Sequence, residues 1–164
     1  MEAKPYFEAL SQALGLELSP SASGGLFFQV EGRGLVLQWL EEPRAFVLHA
    51  ELGPLAGWGE GDICRTLLGA NFLLAETQGA ALSLDAASNM VGLNYFFPVF
   101  GQAGQDFINL VNNFVELADL WREKLAALNA KQEERARAAA QAGPAAPDAE
   151  ETPEISSVPA MLRV

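Results

Sequence analysis

LLGANFLLAETQGAALSLDAASNMVGLNYFFPV, residues 67–99, changes its hydrophobic period twice, and the rest of the chain is organised around those changes. From 63 to 75 the apolar residues Ile63, Leu67, Ala70 and Leu74 recur at helical spacing, with Leu68, Phe72 and Ala75 widening the stripe beyond one face. A helix apolar on two sides needs two partners. Gln78 and Gly79 break the pattern, and Leu82 and Leu84 then alternate with Ala81, Ser83 and Asp85, as in a strand. Residues 86–89 read as a turn. After it, Val91, Leu93, Tyr95 and Phe97 alternate with Gly92, Asn94 and Phe96 until Pro98, which cannot donate to a ladder. The unit is a helix, a turn and a hairpin.

Upstream, 5–14 reads as a short amphipathic helix. Pro5 suits its start, Tyr6, Phe7, Leu10, Ala13 and Leu14 form the stripe, and Gly15 can end it. A Ser- and Gly-rich loop at 19–25 leads into three strands at 26–30, 34–40 and 45–52. Their short connections, 31–33 and 41–44, favour an antiparallel meander. In the second strand Leu35, Leu37 and Trp39 face one way and Val36, Gln38 and Leu40 the other, so neither face is clearly polar. Phe27 and Phe28 must likewise point to opposite sides. One helical layer covers one side of a sheet, which leaves apolar surface for a second subunit, a ligand or a satellite cluster.

The connection GPLAGWGEG, 53–61, lacks the Gly-Lys-Ser/Thr ending or Gly-x-Gly-x-x-Gly pattern of a phosphate-cradling loop. It reads as a flexible crossover with Trp58 as a plug, and Asp62 fits capping and dipole complementarity at the next helix. Downstream of a break at 101–104 a long helix begins near Gln105 or Asp106. Phe107, Leu110, Val111, Phe114, Leu117, Ala118, Trp121, Leu125 and Leu128 keep its period. The composition then shifts, giving three expected regions: a domain over 1–128, a helical extension over 129–142, and a disordered tail over 143–164 rich in Pro, small and acidic residues.

A chain of 164 residues suffices for one domain with a real core and some tail. No apolar run reaches the roughly 18 residues of a membrane span, and Glu2 and Glu8 sit where a secretory signal would be basic and apolar. The expectation is a cytoplasmic protein that does not bind membrane. A net charge of −11 opposes binding to nucleic acid.

Catalytic constellations are missing. His49, the one histidine, lies within the third strand without a Cys or acidic partner at ligand spacing. No Gly-x-Ser-x-Gly elbow marks a serine nucleophile. Glu41 and Glu42 before Pro43 suit a solvated corner, Asp85 a turn, and the lone Cys64 a buried bystander on the apolar helix. The expectation is no enzyme, no metal and no cofactor.

Leu67, Leu68, Ala70 and Asn71 on the helix, Thr77 and Gly79 in the turn, Ala80, Leu82, Leu84 and Asp85 on one strand, and Val91, Leu93 and Pro98 on the next resemble the central segment of the class I type III secretion chaperones, the Tir-chaperone (CesT) family. LHAELGPL at 48–55 is similar to that family's third strand and exit, and FVELADLWREKL at 114–125 to its last helix. Gln78 stands where many relatives have a second glycine. The resemblance implies an α+β fold, a twisted antiparallel sheet with three helices in the order α-β-β-β-α-β-β-α, assembled as a homodimer acting without nucleotide. It implies that an extended N-terminal segment of a secreted effector docks in surface grooves, sometimes adding a strand to a sheet edge. The expected partner-binding residues are Phe7, Leu10, Phe28, Val36 and Leu40, with Phe27, Leu35 and Leu37 facing the core. The expected dimer-interface residues are Leu67, Ala70, Asn71, Leu74, Leu82 and Leu84. The same fold serves secretion regulators that hold another regulator. A small-molecule-binding or hydrolase domain, with a pocket under the crossover near Trp58 and His49 as its polar group, is the alternative from another class.

Overall fold

In the computed structural model, which describes residues 3–142, Phe46 is the hub of the core. The tail expected from 143 lies outside the described residues. Helix α1 (Lys4–Leu14) ends at Gly15 in the left-handed region. Strands β1 (Gly25–Val30), β2 (Arg33–Leu40) and β3 (Ala45–Pro54) follow as the meander. After α2 (Glu60–Ala70) and a single 3-10 turn at Phe72–Leu74 come the hairpin strands β4 (Ala81–Asp85) and β5 (Met90–Pro98), then α3 (Gly104–Ala142). The order is the one expected from the sequence.

All five strands join one antiparallel sheet in the order β1-β2-β3-β5-β4. Glu31 and Gly32, both at positive φ, form the two-residue turn that suits a hairpin's twist and sets Val30 opposite Arg33. That pairing fixes the phase of both strands: Phe28 lies opposite Leu35 and Leu26 opposite Leu37, all buried, while Phe27 lies opposite Val36 on the other face. Phe28 is therefore a core residue and Phe27 an outward one, the reverse of the expectation. Partners across an antiparallel ladder share a face, so the turn length alone decides this.

The inward residues of the meander meet α1 and α3 in one core. Phe46 packs against Tyr6, Phe7, Trp39 and Phe107 with ring centroids 4.8 to 5.6 Å apart. Val111, Phe114, Ala118, Trp121 and Leu125 continue the buried stripe of α3. Asp119 on α3 pairs with Arg33 at 2.7 Å and Arg122 at 2.8 Å, and Arg122 donates to the Glu51 carbonyl at 3.0 Å, which ties the helix across the sheet.

Past Leu125, α3 runs beside the crossover. Asn129 accepts from the Ala56 N–H at 3.0 Å and donates to the Pro54 carbonyl at 2.8 Å, and Gln132 packs over Gly59. Trp58 is half exposed rather than buried as a plug, whereas Leu55 in the same connection is buried. Asp62 caps no N–H of α2; its carboxylate lies in the first helical turn, 3.7 Å from Arg135. Cys64 is half-buried against the core.

Candidate functional site

Among the described residues, three of the surfaces that expose apolar side chains bear on the expected sites. The first is a groove of about 1000 Å3 between α1 and the loop that leads to β1. Phe7, Leu16, Leu18, Pro20 and Trp39 give it apolar walls. The helix stops at Gly15, so Leu16 and Leu18 continue in irregular backbone, where no period marks them for burial. Periodicity therefore misses both residues; their only signal is two leucines directly after a helix stop. Among the five expected partner-binding residues, Phe7 alone lines this groove. Leu10 is buried beneath it and Phe28 lies in the core, while Val36 and Leu40 are on the opposite face of the sheet, so the five share no surface.

The second surface is that opposite face. Phe27 is 66% exposed, with Val36 beside it and Phe96 farther along. Between them a polar row crosses the strands: His49 Nδ1 and Asn94 Oδ1 are 2.8 Å apart, and Asn94 Nδ2 donates to Ser83 Oγ at 2.7 Å. The imidazole lies over Gly92, where a Cβ would come within 2.6 Å of His49 Cε1. Ser83 meets an amide rather than the histidine, so this row orients side chains across the sheet and activates no nucleophile.

The third surface surrounds the end of α2. The expected continuous helix over 63–75 stops at Ala70, and Leu73 and Leu74 both take left-handed backbone conformations that cost a branched side chain energy. Leu67, Ala70 and Leu82 are buried within the protomer. Leu74 and Leu84 are exposed, together with three residues outside the expected interface set: Leu68 at 69%, Phe72 at 75% and Leu73 at 81%. Asn71 binds the backbone of Leu82 through both atoms of its amide, and buried Thr77 donates to the Ala80 carbonyl. These side chains occupy the outer edge of β4.

The other edge of the sheet is open. Trp39 N–H donates to the Gly24 carbonyl, and the ladder alternates from there, so Gly25, Phe27 and Gln29 turn their backbone groups away from β2. Ser21 satisfies Gly25; among the described residues no strand neighbours the edge that Phe27 and Gln29 face.

One carboxylate is held by the turn it sits in. Asp85 accepts from the Ala87 N–H and the Ser88 hydroxyl, and those bonds, the hydroxyl's first, hold its carboxyl below the usual range. Among the described residues no three His, Cys, Asp or Glu side chains cluster as metal ligands, and no helix is long and apolar enough to cross a membrane.

The comparisons with known proteins agree on one fold. A family model described as the Tir chaperone protein (CesT) family matches residues 7–122. The structure of an ExsC-ExsE complex aligns at a TM-score of 0.66 and 20% identity, covering 76% of this chain and 93% of that one. A HopA1-SchA chaperone-effector complex aligns at 0.59 and 18%, covering 74% and 93%. The Yersinia pestis type III secretion chaperone SycH, solved with a fragment of YscM2, aligns at 0.55 and 17%, covering 69% and 93%. No curated protein matches the sequence significantly.

Proposed function

The chain belongs to the Tir chaperone protein (CesT) family, and from that premise we propose that it is a type III secretion chaperone. As a cytoplasmic homodimer without enzymatic activity, it holds an extended N-terminal segment of a secreted effector and keeps it soluble until export. The observation that carries this reading is the family match, which runs from α1 through the meander, α2 and the hairpin into α3. Solved neighbours of the same fold include a chaperone-effector complex and a type III secretion chaperone holding a protein fragment.

The surfaces supply what such work requires. An extended segment gains main-chain hydrogen bonds by pairing with Phe27 and Gln29 on the open β1 edge, and gains affinity from side chains placed in apolar grooves. Burying one Leu or Phe of the partner is worth roughly 1.5–3 kcal/mol. The strained, exposed leucines after α2 suit the contact between two protomers, since a second copy would cover Leu68, Phe72, Leu73, Leu74 and Leu84.

The test is purification from a strain that carries the secretion system, with light scattering and mass spectrometry of the complex. A dimer that carries a secreted protein, whose isolated N-terminal fragment rebinds, supports the reading. A monomer that carries nothing and binds no such fragment overturns it.

A further inference from the structure

The groove between α1 and the following loop combines apolar walls with a one-sided charge. Three carboxylates, Glu8, Glu17 and Glu41, line it together with a single cation, Lys4. Lys4 lies 3.5 Å from Glu8, which accounts for that pair. Glu17 and Glu41 form no ion pair among the described residues.

Resting on the chaperone reading above, we infer that this groove selects partner segments in which aliphatic anchors are flanked by lysine or arginine. The anchors pack on Phe7, Leu16 and Leu18, and the flanking cation meets Glu17 and Glu41 at the rim. A carboxylate beside apolar surface loses part of its hydration when the groove fills. A cation on the incoming segment offsets that loss, whereas an acidic segment adds repulsion, so the rim discriminates against it. The overall charge of −11 steers the same class of segment toward the chain from a distance.

Two capped fluorescent peptides test this. Both carry Leu and Ile alternating with Ser, and they differ only in whether Lys or Glu flanks that core. Fluorescence anisotropy at low ionic strength should show the Lys peptide binding roughly tenfold more tightly, as expected when exposed charge pairs replace repulsive ones. The gap should shrink in E17Q/E41Q, whose exposed side chains leave the fold and its circular dichroism unchanged, and persist in E116Q/E123Q, which removes two exposed glutamates from α3. Equal affinities, an undiminished gap in E17Q/E41Q, or equal shrinkage in both variants overturns the charge preference and leaves the chaperone reading standing. Failure of both peptides to bind, while a secreted protein still co-purifies, overturns the groove as the site of the anchors.

Discussion

The amide of Asn71 takes the place of a neighbouring strand beside Leu82: its Oδ1 accepts the Leu82 N–H at 2.8 Å and its Nδ2 donates to the Leu82 carbonyl at 2.9 Å. Two consequences follow from one side chain. The end of α2 is tied to β4, and the outer edge of β4 offers fewer free groups for pairing with another chain. Asn71→Ala leaves both backbone groups without partners and should lower stability by about 1–3 kcal/mol. Asn71→Asp keeps the acceptor but turns a carboxylate toward the Leu82 carbonyl, so it should recover little. Urea denaturation of the three proteins measures this, and a change below about 0.5 kcal/mol in Asn71→Ala would mean water replaces the amide.

Gln78 holds φ at +50°, next to Gly79 at +90°. A side chain in this region meets its own backbone, at a cost of roughly 1–2 kcal/mol, part of which glycine returns as greater freedom in the unfolded chain. Gln78→Gly should therefore stabilise the protein by about 0.5–1 kcal/mol. Thermal unfolding should show a higher midpoint; a lower one would mean the glutamine side chain contributes more by packing than its backbone costs.

Phe72 and Leu73 project from the 3-10 turn after α2, whereas Leu67 one turn earlier is buried. In the proposed homodimer, Phe72→Asp/Leu73→Asp should halve the mass seen by light scattering and leave the far-ultraviolet circular dichroism unchanged. Leu67→Asp should instead unfold the protomer, because it places an unpaired charge in the core. A double variant that stays dimeric would move the interface away from this surface.

Asp85 gives the hairpin turn a defined acid response. Its carboxyl titrates below the ordinary value of 3.8 because the Ser88 hydroxyl and the Ala87 N–H bind the charged form. The bonds therefore contribute their full stabilisation above 3.8 and lose it as pH falls through the lower native value. Ser88→Ala should raise the Asp85 pKa toward 3.8, which a carbon-detected NMR titration reads directly. No upward movement would mean that the backbone N–H groups of Ala87 and Ser88 hold the charge without the hydroxyl.

Local pattern was enough to determine the order of elements, the hairpin after Gly79 and the buried stripe of α3, because each rests on a period that neighbouring residues share. The phase of β1 was also present, in the two-residue turn at Glu31 and Gly32, but it appears only when partners are counted across the ladder: Val30 opposite Arg33 puts Phe28 inward and Phe27 outward. What tertiary structure alone decided is where apolar residues without a period go. Leu16 and Leu18 become groove walls just past the end of α1, and Leu73 and Leu74 leave the helix for left-handed backbone just after Asn71, whose amide binds Leu82. Trp58 stays half exposed, while α3 continues past Leu125 and lays Gln132 over Gly59. None of these residues sits in a repeating pattern, and burial there follows which surface packs against them to exclude water, a choice that no period among neighbouring residues encodes.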